Sequence, residues 1–431
     1  MTVVTRPSCG RATTICLALV SALVATRAPA AETARNRRQL AAVAALAERH
    51  TADAAKEIVR VGLRGRGVDP AVRSAAVAAL RGMAGDAEVG AALVRTFEQE
   101  WQRGNADAVS GLALALLPSD DDDVAGAVGR AIDRGVAATV RSVPAVMGIA
   151  AAAAGQGGAG VATLRRLSDL ECLGSCFAIR RAVVTALASI RDAAAVEVLV
   201  GLVGRVRGEV RLDVVRYLAA VSGREPGLDA ADWESWWREA KDTFRFPERL
   251  VLPGHDAVAA GGSYYGIPLS AQSLVFVIDV SSSMQGERLA AAQRELVEAI
   301  EGLDATTRFT VIAFNDRLQA WQDRLVPAKP AAKEAAASFV GSLVAAGRTA
   351  TCDAIEAAFT YDAEAVFLLS DGEPTAGRLV APADIVRAVG LANEARCVSV
   401  YTIGLMPDAP LAAFLRTLAE MSRGCYRQVD R

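Results

Sequence analysis

An aspartate and two serines stand at alternate positions directly after a run of apolar residues. The run at 273–278 is followed by Asp279, Ser281 and Ser283. A continuous apolar stretch bounded by turn residues is typical of a buried strand in a parallel sheet, and ligand sites of open α/β sheets lie where such strands end. One carboxylate and two hydroxyls are hard oxygen ligands, which suit Mg²⁺ or Mn²⁺ better than Zn²⁺. The same residues also fit an ordinary strand followed by a serine-rich helix N-cap.

Two later segments favour the metal site over the N-cap. Thr349 lies in the turn at 347–351, ahead of an apolar helix pattern, and Asp371 follows a second apolar strand at 365–370. They add one hydroxyl and one carboxylate. A lone D-x-S-x-S pattern would be a weak signal, whereas five oxygen-bearing side chains in this order on alternating strands and helices are a specific one.

The three segments together resemble the von Willebrand factor type A domain and its metal-ion-dependent adhesion site. The family pattern is D-x-S-x-S, a threonine in a glycine-rich turn and an aspartate in S-D-G after a later strand, and every position is filled here. The resemblance implies a Mg²⁺ or Mn²⁺ site formed by Asp279, Ser281, Ser283, Thr349 and Asp371. It also implies an open coordination position that accepts an Asp or Glu of a protein partner.

Two residues depart from the family pattern without removing an oxygen ligand. Ser282 stands where glycine is frequent, and Arg348 replaces the second glycine before the threonine. Arg348 adds a cation near the rim, where it would compete with the metal or attract an acidic partner.

Strands and helices alternate from about residue 270 to residue 431. The apolar pattern predicts strands at 273–279, 308–314, 317–321, 365–370, 397–403 and 425–429, and helices at 286–303, 329–345, 352–359, 382–395 and 409–422. This alternation indicates a doubly wound α/β domain with a mainly parallel sheet and helices on both faces. The resemblance implies the same Rossmann-like fold.

Residues 31–245 show only the helical spacing of apolar residues. A V-R-x-x-A-V-x-A-L pattern at 72–80 returns near 179 and 210, with weaker copies near 108 and 140. Spacings of about 31–39 residues are typical of paired-helix repeats, and the pattern resembles HEAT-like repeats. We therefore expect an all-α HEAT-like solenoid, with a compact helical bundle as the alternative. Glycines and prolines indicate a linker at 246–269.

The first thirty residues indicate the cellular location of the protein. Arg6 and Arg11 precede an apolar core at 12–25, and the A-P-A at 28–30 is typical of a signal-peptide cleavage site. An uncleaved anchor is the alternative. We expect an exported protein of the periplasm, cell envelope or extracellular space, with no membrane span after signal cleavage. Residues 264–268 resemble the segment that precedes a type A domain in bacterial exported proteins that also carry helical repeats.

Composition and net charge limit the classes of binding partner that the chain can be expected to have. The 431-residue chain is 52% hydrophobic with a formal net charge of −2, so its bulk charge indicates no nucleic-acid partner. The resemblance implies instead an unidentified protein partner that presents an Asp or Glu to the metal.

Five of the seven cysteines follow the predicted signal. Cys172 and Cys176 are close enough along the chain to bridge in an oxidising compartment. The sheet order of the resembled family makes the strands that begin at Cys397 and Cys425 parallel neighbours, which implies a short Cα separation for this pair. The oxidation state of both pairs stays open. Cys352 is expected to be buried.

Function is expected to be non-enzymatic. The first interpretation is a divalent-metal-dependent adhesion or scaffold protein, in which the helical repeats give a second interaction surface. A structural scaffold with an idle metal site is one alternative, and a metal-dependent hydrolase is another. The sequence contains neither the G-x-x-x-x-G-K-[ST] phosphate loop nor the G-x-S-x-G nucleophile motif.

Overall fold

The computed structural model describes residues 34–64, 68–117, 126, 128–130, 132, 143–169, 176–258 and 262–430. The expected secretion signal at 1–30, the repeat copy near 140 and Cys172 lie outside the described residues. Within the described part of the chain, no helix combines the length and the apolarity needed to cross a membrane.

The described residues fall into two compact units. The first unit takes its residues from 1–170, 185–195 and 244–252, and the second takes them from 171–184, 196–243 and 253–431. Helices that precede the expected linker therefore pack with the C-terminal sheet. The sequence-based domain bounds at 31–245, 246–269 and 270–431 stay a prediction.

The first unit is helical. Its helices are α1 (Ala34–Ala47), α2 (Ala52–Ile58), α3 (Pro70–Met83), α4 (Ala87–Gln102), α5 (Ala106–Leu116), α6 (Val143–Ala154) and α7 (Val161–Ser168), with a π-helical turn at Val59–Leu63 and a 3₁₀ turn at Gly157–Gly160. Helix α3 begins where the Asp69 side chain accepts a hydrogen bond from the Ala71 amide, with Pro70 in the first turn. The expected helical character is confirmed for the described residues, and the HEAT-like solenoid stays a prediction.

Among the described residues, four further helices precede the sheet. They are α8 (Phe177–Ser189), α9 (Ala193–Leu202), α10 (Gly208–Ser222) and α11 (Ala230–Ala240). Helix α10 ends at Gly223, whose φ of 71° is the left-handed conformation that glycine adopts after a helix. The first part of α8 and all of α10 and α11 belong to the second unit.

The second unit contains a seven-stranded sheet. A short hairpin of β1 (Ser263–Tyr264) and β2 (Ile267–Pro268) precedes the sheet strands β3 (Ser273–Asp279), β4 (Arg308–Phe314), β5 (Leu318–Ala320), β6 (Val326–Pro327), β7 (Ala365–Ser370), β8 (Ser399–Leu405) and β9 (Tyr426–Val429). The helices among them are α12 (Glu287–Glu301), α13 (Pro330–Gly341), α14 (Thr351–Ala358), α15 (Pro382–Asn393) and α16 (Ala409–Met421). The strand order is β5-β4-β3-β7-β8-β9, and β6 also pairs with β4.

Pairing is parallel at the centre of the sheet and antiparallel at one edge. Strands β4, β3, β7, β8 and β9 pair in parallel, whereas β5 and β6 pair antiparallel with β4. The predicted doubly wound, mainly parallel α/β domain is confirmed.

Both faces of the sheet are covered, which explains the unbroken apolar sequence of β3. All seven residues of β3 are buried. Because side chains alternate between the two faces of a strand, Leu274, Phe276 and Ile278 lie in a core shared with α12 and α13. Val275 and Val277 lie in a second core shared with α14, α15 and α16. The carboxyl end of β3 is therefore held between two packed layers.

The sheet corrects the expected proximity of Cys397 and Cys425. Strands β8 and β9 are neighbours as the resemblance implied, but the register sets Cys425 beside Tyr401, four residues beyond Cys397. At about 3.3 Å per residue, this offset exceeds the roughly 7 Å Cα separation that a disulfide tolerates. All four cysteines within the described residues are free, and Cys352 is buried as expected.

A network of buried polar side chains lies at the amino-terminal edge of the sheet. Arg181 of α8 and Glu209 of α10 are 1% and 0% exposed. The Arg181 guanidinium donates to both carboxylate oxygens of Asp213 and, at 2.7 Å, to Ser399 Oγ. Ser399 Oγ and the Tyr401 hydroxyl both donate to Glu209 Oε2, at 2.8 and 2.7 Å. Since Ser399 and Tyr401 belong to β8, the network ties two helices to this strand.

Glu364, directly before β7, makes a second connection to the same helices. Its Oε1 accepts a hydrogen bond from Arg180 of α8 at 3.1 Å. Its Oε2 accepts from the amides of Glu209 and Gln272, at 3.3 and 3.1 Å. Glu364 is 3% exposed, so helices α8 and α10 shield a carboxylate that would otherwise face water.

Burial dominates the protonation of Glu209. It raises the pKa of Glu209 from 4.5 to about 7, against the opposing effects of the Arg181 charge and the Tyr401 and Ser399 hydroxyls. No hydrogen-bond partner among the described residues reaches Glu209 Oε1. Burial acts to lower the pKa of Arg181, but the carboxylates of Asp213 and Glu209 outweigh it and raise that pKa. The Glu209 carboxyl is therefore the group of this network that titrates near neutral pH.

Substitution of Glu209 by glutamine should change how stability depends on pH. Because the pKa is raised on folding, from 4.5 to about 7, the contribution of Glu209 to stability is complete below about pH 4.5 and is lost as the pH rises through about 7. The wild type should therefore lose stability relative to Glu209→Gln between pH 4.5 and pH 8, by a few kcal/mol. Urea unfolding across this range measures the difference. Glu301→Gln, at an exposed position of α12, is the control; a Glu209→Gln difference that stays constant with pH would contradict the prediction.

Candidate metal site

The predicted ligands lie where the direction of the sheet connections reverses. Strand β3 pairs in parallel with β4 on one side and with β7 on the other. The carboxyl ends of strands at such a point form the crevice in which open α/β sheets bind ligands. Asp279 is the last residue of β3, Ser370 is the last residue of β7, and Asp371 follows it.

Asp279 is fully buried and its two oxygens are both hydrogen-bonded. Oδ1 accepts from the Ser281 amide at 2.8 Å, and Oδ2 accepts from Ser370 Oγ at 2.5 Å. Burial raises the pKa of Asp279 to about 6, and the nearby charge of Asp371 acts in the same direction, while the Ser370 and Ser281 hydrogen bonds lower it. The two donors hold the Asp279 carboxylate in one position.

Sequence reasoning missed the role of Ser370. The sequence pattern places Ser370 at the end of a strand, as the S of S-D-G, but it indicates no partner for the hydroxyl. The register pairs Ile278 with Leu369, so the following residues, Asp279 and Ser370, are neighbours across the two strands. The signal was present as a polar residue at the end of each apolar run, and only the strand pairing identifies the contact.

The hydroxyls of the D-x-S-x-S segment connect it to the second aspartate. Ser281 Oγ and Ser283 Oγ lie 3.0 Å apart, and Ser283 Oγ donates to Asp371 Oδ1 at 2.7 Å. A 3₁₀ turn at Ser282–Met284 gives this segment its shape. Ser281 is buried, whereas Ser283 is exposed, so the chain of oxygens leads from the core to the surface.

Thr349 reaches the same crevice from the loop before α14. The loop is fixed by hydrogen bonds from the Ser282 amide to the Gly347 carbonyl, at 3.0 Å, and from the Ala346 amide to the Val280 carbonyl, at 2.8 Å. A Cβ placed on Gly372 would lie 3.4 Å from Ser283 Oγ and 3.7 Å from Thr349 Oγ1. Both hydroxyls therefore border one small space.

The structure thus brings all five predicted residues together. Asp279, Ser281, Ser283, Thr349 and Asp371 belong to three separate segments of the sequence, and they meet at the carboxyl ends of β3 and β7. Three hydroxyls and two carboxylates form an all-oxygen set without nitrogen or sulfur, which fits the preference of Mg²⁺ or Mn²⁺.

An arginine that the sequence reasoning did not single out also contacts the site. Arg288 of α12 donates from Nη1 to Asp371 Oδ2 at 2.9 Å and to the Ser283 carbonyl at 3.1 Å. The rim cation expected from the sequence was Arg348, which is exposed. Arg288 follows Ser283 by five residues, and nothing in its sequence position indicates that it would pair with Asp371, 83 residues later.

A second group of potential ligands is less suited to a cation. Cys352, Asp353 and Glu356 offer atoms within 4.8 Å of one another. Arg378 already neutralises this group, because its amide donates to Asp353 at 2.9 Å and its guanidinium pairs with Glu356. Burial also raises the pKa of the Cys352 thiol, which disfavours the thiolate that a metal would need.

Comparison with known proteins agrees with the C-terminal fold. Residues 272–428 match the family model of the von Willebrand factor type A domain. Human von Willebrand factor A domain-containing protein 3A is 35% identical over 154 residues, which are 35% of this chain and 13% of that protein. Inter-alpha-trypsin inhibitor heavy chain H4 of Homo sapiens is 29% identical over 177 residues, 38% of this chain and 19% of that protein.

Heavy chain H1 of the same inhibitor, from Bos taurus, is 33% identical over 171 residues, covering 37% of this chain and 18% of that protein. A solved structure, the von Willebrand factor type A protein from Catenulispora acidiphila, is 23% identical with a TM-score of 0.33 and covers 38% of this chain and 40% of that chain. This chain spans less than a fifth of the length of these curated relatives. The C-terminal domain of the chain is a von Willebrand factor type A domain.

Loss of the Ser370 hydroxyl should destabilise the protein in a pH-dependent way. Ser370→Ala removes a donor from the buried Asp279 carboxylate, and an unsatisfied buried acceptor costs about 1–3 kcal/mol. The folded-state pKa of Asp279, raised from 3.8 to about 6, should rise further, so the loss should be largest above about pH 6 and smallest near pH 4. Chemical denaturation at both pH values tests this. Ser342→Ala, at an exposed position, is the control, and an equal loss at both pH values would argue against the assigned role.

Proposed function

We propose that this protein is an exported, non-enzymatic binding protein whose type A domain holds Mg²⁺ or Mn²⁺ and uses it to bind an acidic residue of a protein partner. The observation that carries the proposal is the convergence of three hydroxyls and two carboxylates at the carboxyl ends of β3 and β7. The bound cation would supply a Lewis-acidic contact for a carboxylate.

The ligand set favours an acidic partner. Ser281, Ser283 and Thr349 would hold the cation through neutral oxygens, and neutral ligands leave a divalent ion with most of its positive charge. The two aspartates are also partly neutralised, because Asp279 is hydrogen-bonded by Ser281 and Ser370 and Asp371 pairs with Arg288. A carboxylate from outside would therefore gain a strong, charge-assisted contact.

Several observations support a protein partner rather than a small substrate. Ser283 is exposed, so the oxygen cluster opens at the surface instead of in a deep cavity. Small-molecule sites are usually concave and largely apolar, and this crevice is polar. The relatives with matching domains include heavy chains of the inter-alpha-trypsin inhibitor, by name components of an inhibitor.

The helical first unit would provide a second interaction surface. Paired-helix repeats present extended faces that bind proteins, and the repeat spacing of the sequence supports such an arrangement. The positively charged and apolar start of the sequence at 1–30 supports export. Both parts of the proposal are independent of the metal site.

Direct metal binding is the first test. The full-length protein should bind one Mn²⁺ in isothermal titration or in electron paramagnetic resonance titration. Asp279→Ala should abolish the binding, since Asp279 organises the Ser281 backbone, and Ser283→Ala should weaken it about tenfold or more. Asp384→Ala, at a half-buried position, and Ser342→Ala, at an exposed one, lie outside the oxygen cluster and should bind as the wild type does. Failure of the wild type to bind Mn²⁺ and Mg²⁺ would overturn the metal-dependent function.

Partner binding is the second part of this test. The immobilised wild type should retain a protein from a cell-envelope extract in Mg²⁺, and EDTA or Asp279→Ala should release it. Asp384→Ala should retain it. A partner that stays bound in EDTA would show that recognition does not depend on the metal.

A further inference from the structure

Arg288 lies between the metal ligands and solvent. Its Nη1 donates both to Asp371 Oδ2 and to the backbone carbonyl of Ser283. The side chain of Asp371 has no exposed surface, whereas that of Arg288 is 40% exposed. The guanidinium therefore covers the buried carboxylate from the solvent side.

The two oxygens of Asp371 have different partners. Oδ1 accepts from Ser283 Oγ at 2.7 Å and Oδ2 accepts from Arg288 at 2.9 Å. Ser283 is itself one of the proposed metal ligands. Two positive groups would therefore interact with the same carboxylate. A cation bound by Ser283 would act on one oxygen of Asp371, and the guanidinium of Arg288 acts on the other.

We propose that Arg288 weakens divalent-cation binding at this site by competing for the charge of Asp371; this inference rests on the proposed function. Asp279 and Asp371 contribute two negative charges to the crevice, and the Arg288 ion pair cancels one of them. The reduced negative charge lowers the affinity for the cation. It also leaves the bound cation short of anionic ligands, so an external carboxylate binds more strongly. Arg288 is thus a positioning residue that adjusts the balance between holding the metal and binding the partner.

The charges next to Arg288 do not compensate for it. Glu287, its neighbour in α12, pairs with Arg294 at 2.8 Å. The partner that the structure gives to Arg288 is Asp371, with a further hydrogen bond to the Ser283 carbonyl. Removal of the guanidinium charge should therefore act mainly on the metal crevice.

Titration of Mn²⁺ into the full-length protein tests this inference. Arg288→Gln should bind Mn²⁺ about tenfold more tightly than the wild type, which corresponds to about 1.4 kcal/mol. This is a typical energy for the repulsion between a single and a double positive charge that lie a few ångströms apart in a solvated site. Arg288→Lys keeps the positive charge and should bind close to the wild type. Arg294→Gln removes an exposed arginine of the same helix that pairs with Glu287 instead, and it should leave the dissociation constant unchanged.

The outcomes separate this inference from the proposed function. If the wild type binds Mn²⁺ and Arg288→Gln binds equally or more weakly, Arg288 only supports the site and the competition is overturned. If Arg288→Lys binds as tightly as Arg288→Gln, the charge is not the cause and the inference is again overturned. If no variant binds Mn²⁺, the proposed metal site itself fails. Circular dichroism and the melting temperature of each variant without added metal establish that each one is folded.

Discussion

The burial of the Asp279 carboxylate at the end of β3 is the constraint on which the site depends. A charged group removed from water is costly unless it is hydrogen-bonded, and here the Ser281 amide and the Ser370 hydroxyl meet that requirement. The first contact fixes the turn after β3, and the second fixes the carboxyl end of β3 to that of β7. The same two hydrogen bonds therefore stabilise the carboxylate and set the positions of the remaining oxygens.

A buried acidic residue lies directly before β7, and a polar residue is the last residue of the strand. Glu364, directly before β7, accepts hydrogen bonds from Arg180 and from the Glu209 amide, and Ser370 donates to Asp279 at the opposite end. Between them the strand is wholly buried. Helices α8 and α10 thus bind the amino-terminal edge of the sheet, while the oxygen cluster occupies the carboxyl edge. The polar network with α8 and α10 therefore lies at the opposite end of the strands from the oxygen cluster.

Apolar patterning predicted the elements of the C-terminal domain well, because a strand buried on both faces has an unbroken apolar sequence. The bounds of β3, β4 and β7 agree with those expected from the sequence. The five site residues could also be placed, since each follows or precedes such an element. The residues that were missed interact over long sequence separations: Glu209 and Tyr401 are 192 residues apart, and Arg288 and Asp371 are 83 apart.

Register explains the remaining errors. A sequence pattern indicates which strands exist, but the offset between neighbours depends on how the preceding helix and loop are packed. The pairing of β8 with β9 was expected, yet the offset that separates Cys397 from Cys425 was not. The role of Ser370 was missed for the same reason, because its contact with Asp279 exists only in the observed β3–β7 register.

The two edges of the sheet show why similar buried carboxylates serve different purposes. Burial raises the pKa of both Glu209 and Asp279, to about 7 and about 6. Glu209 has one oxygen without a hydrogen-bond partner among the described residues and is enclosed by α10 and β8, so its burial favours the neutral carboxyl. Asp279 has donors on both oxygens and connects through Ser281 to the exposed Ser283. Of the three hydroxyls beside it, Ser281 and Thr349 are buried and Ser283 is exposed, so a divalent cation would reach the carboxylates from the Ser283 side. Access to solvent and a full set of donors, rather than the acidic residue itself, therefore distinguish the candidate metal site from the structural network.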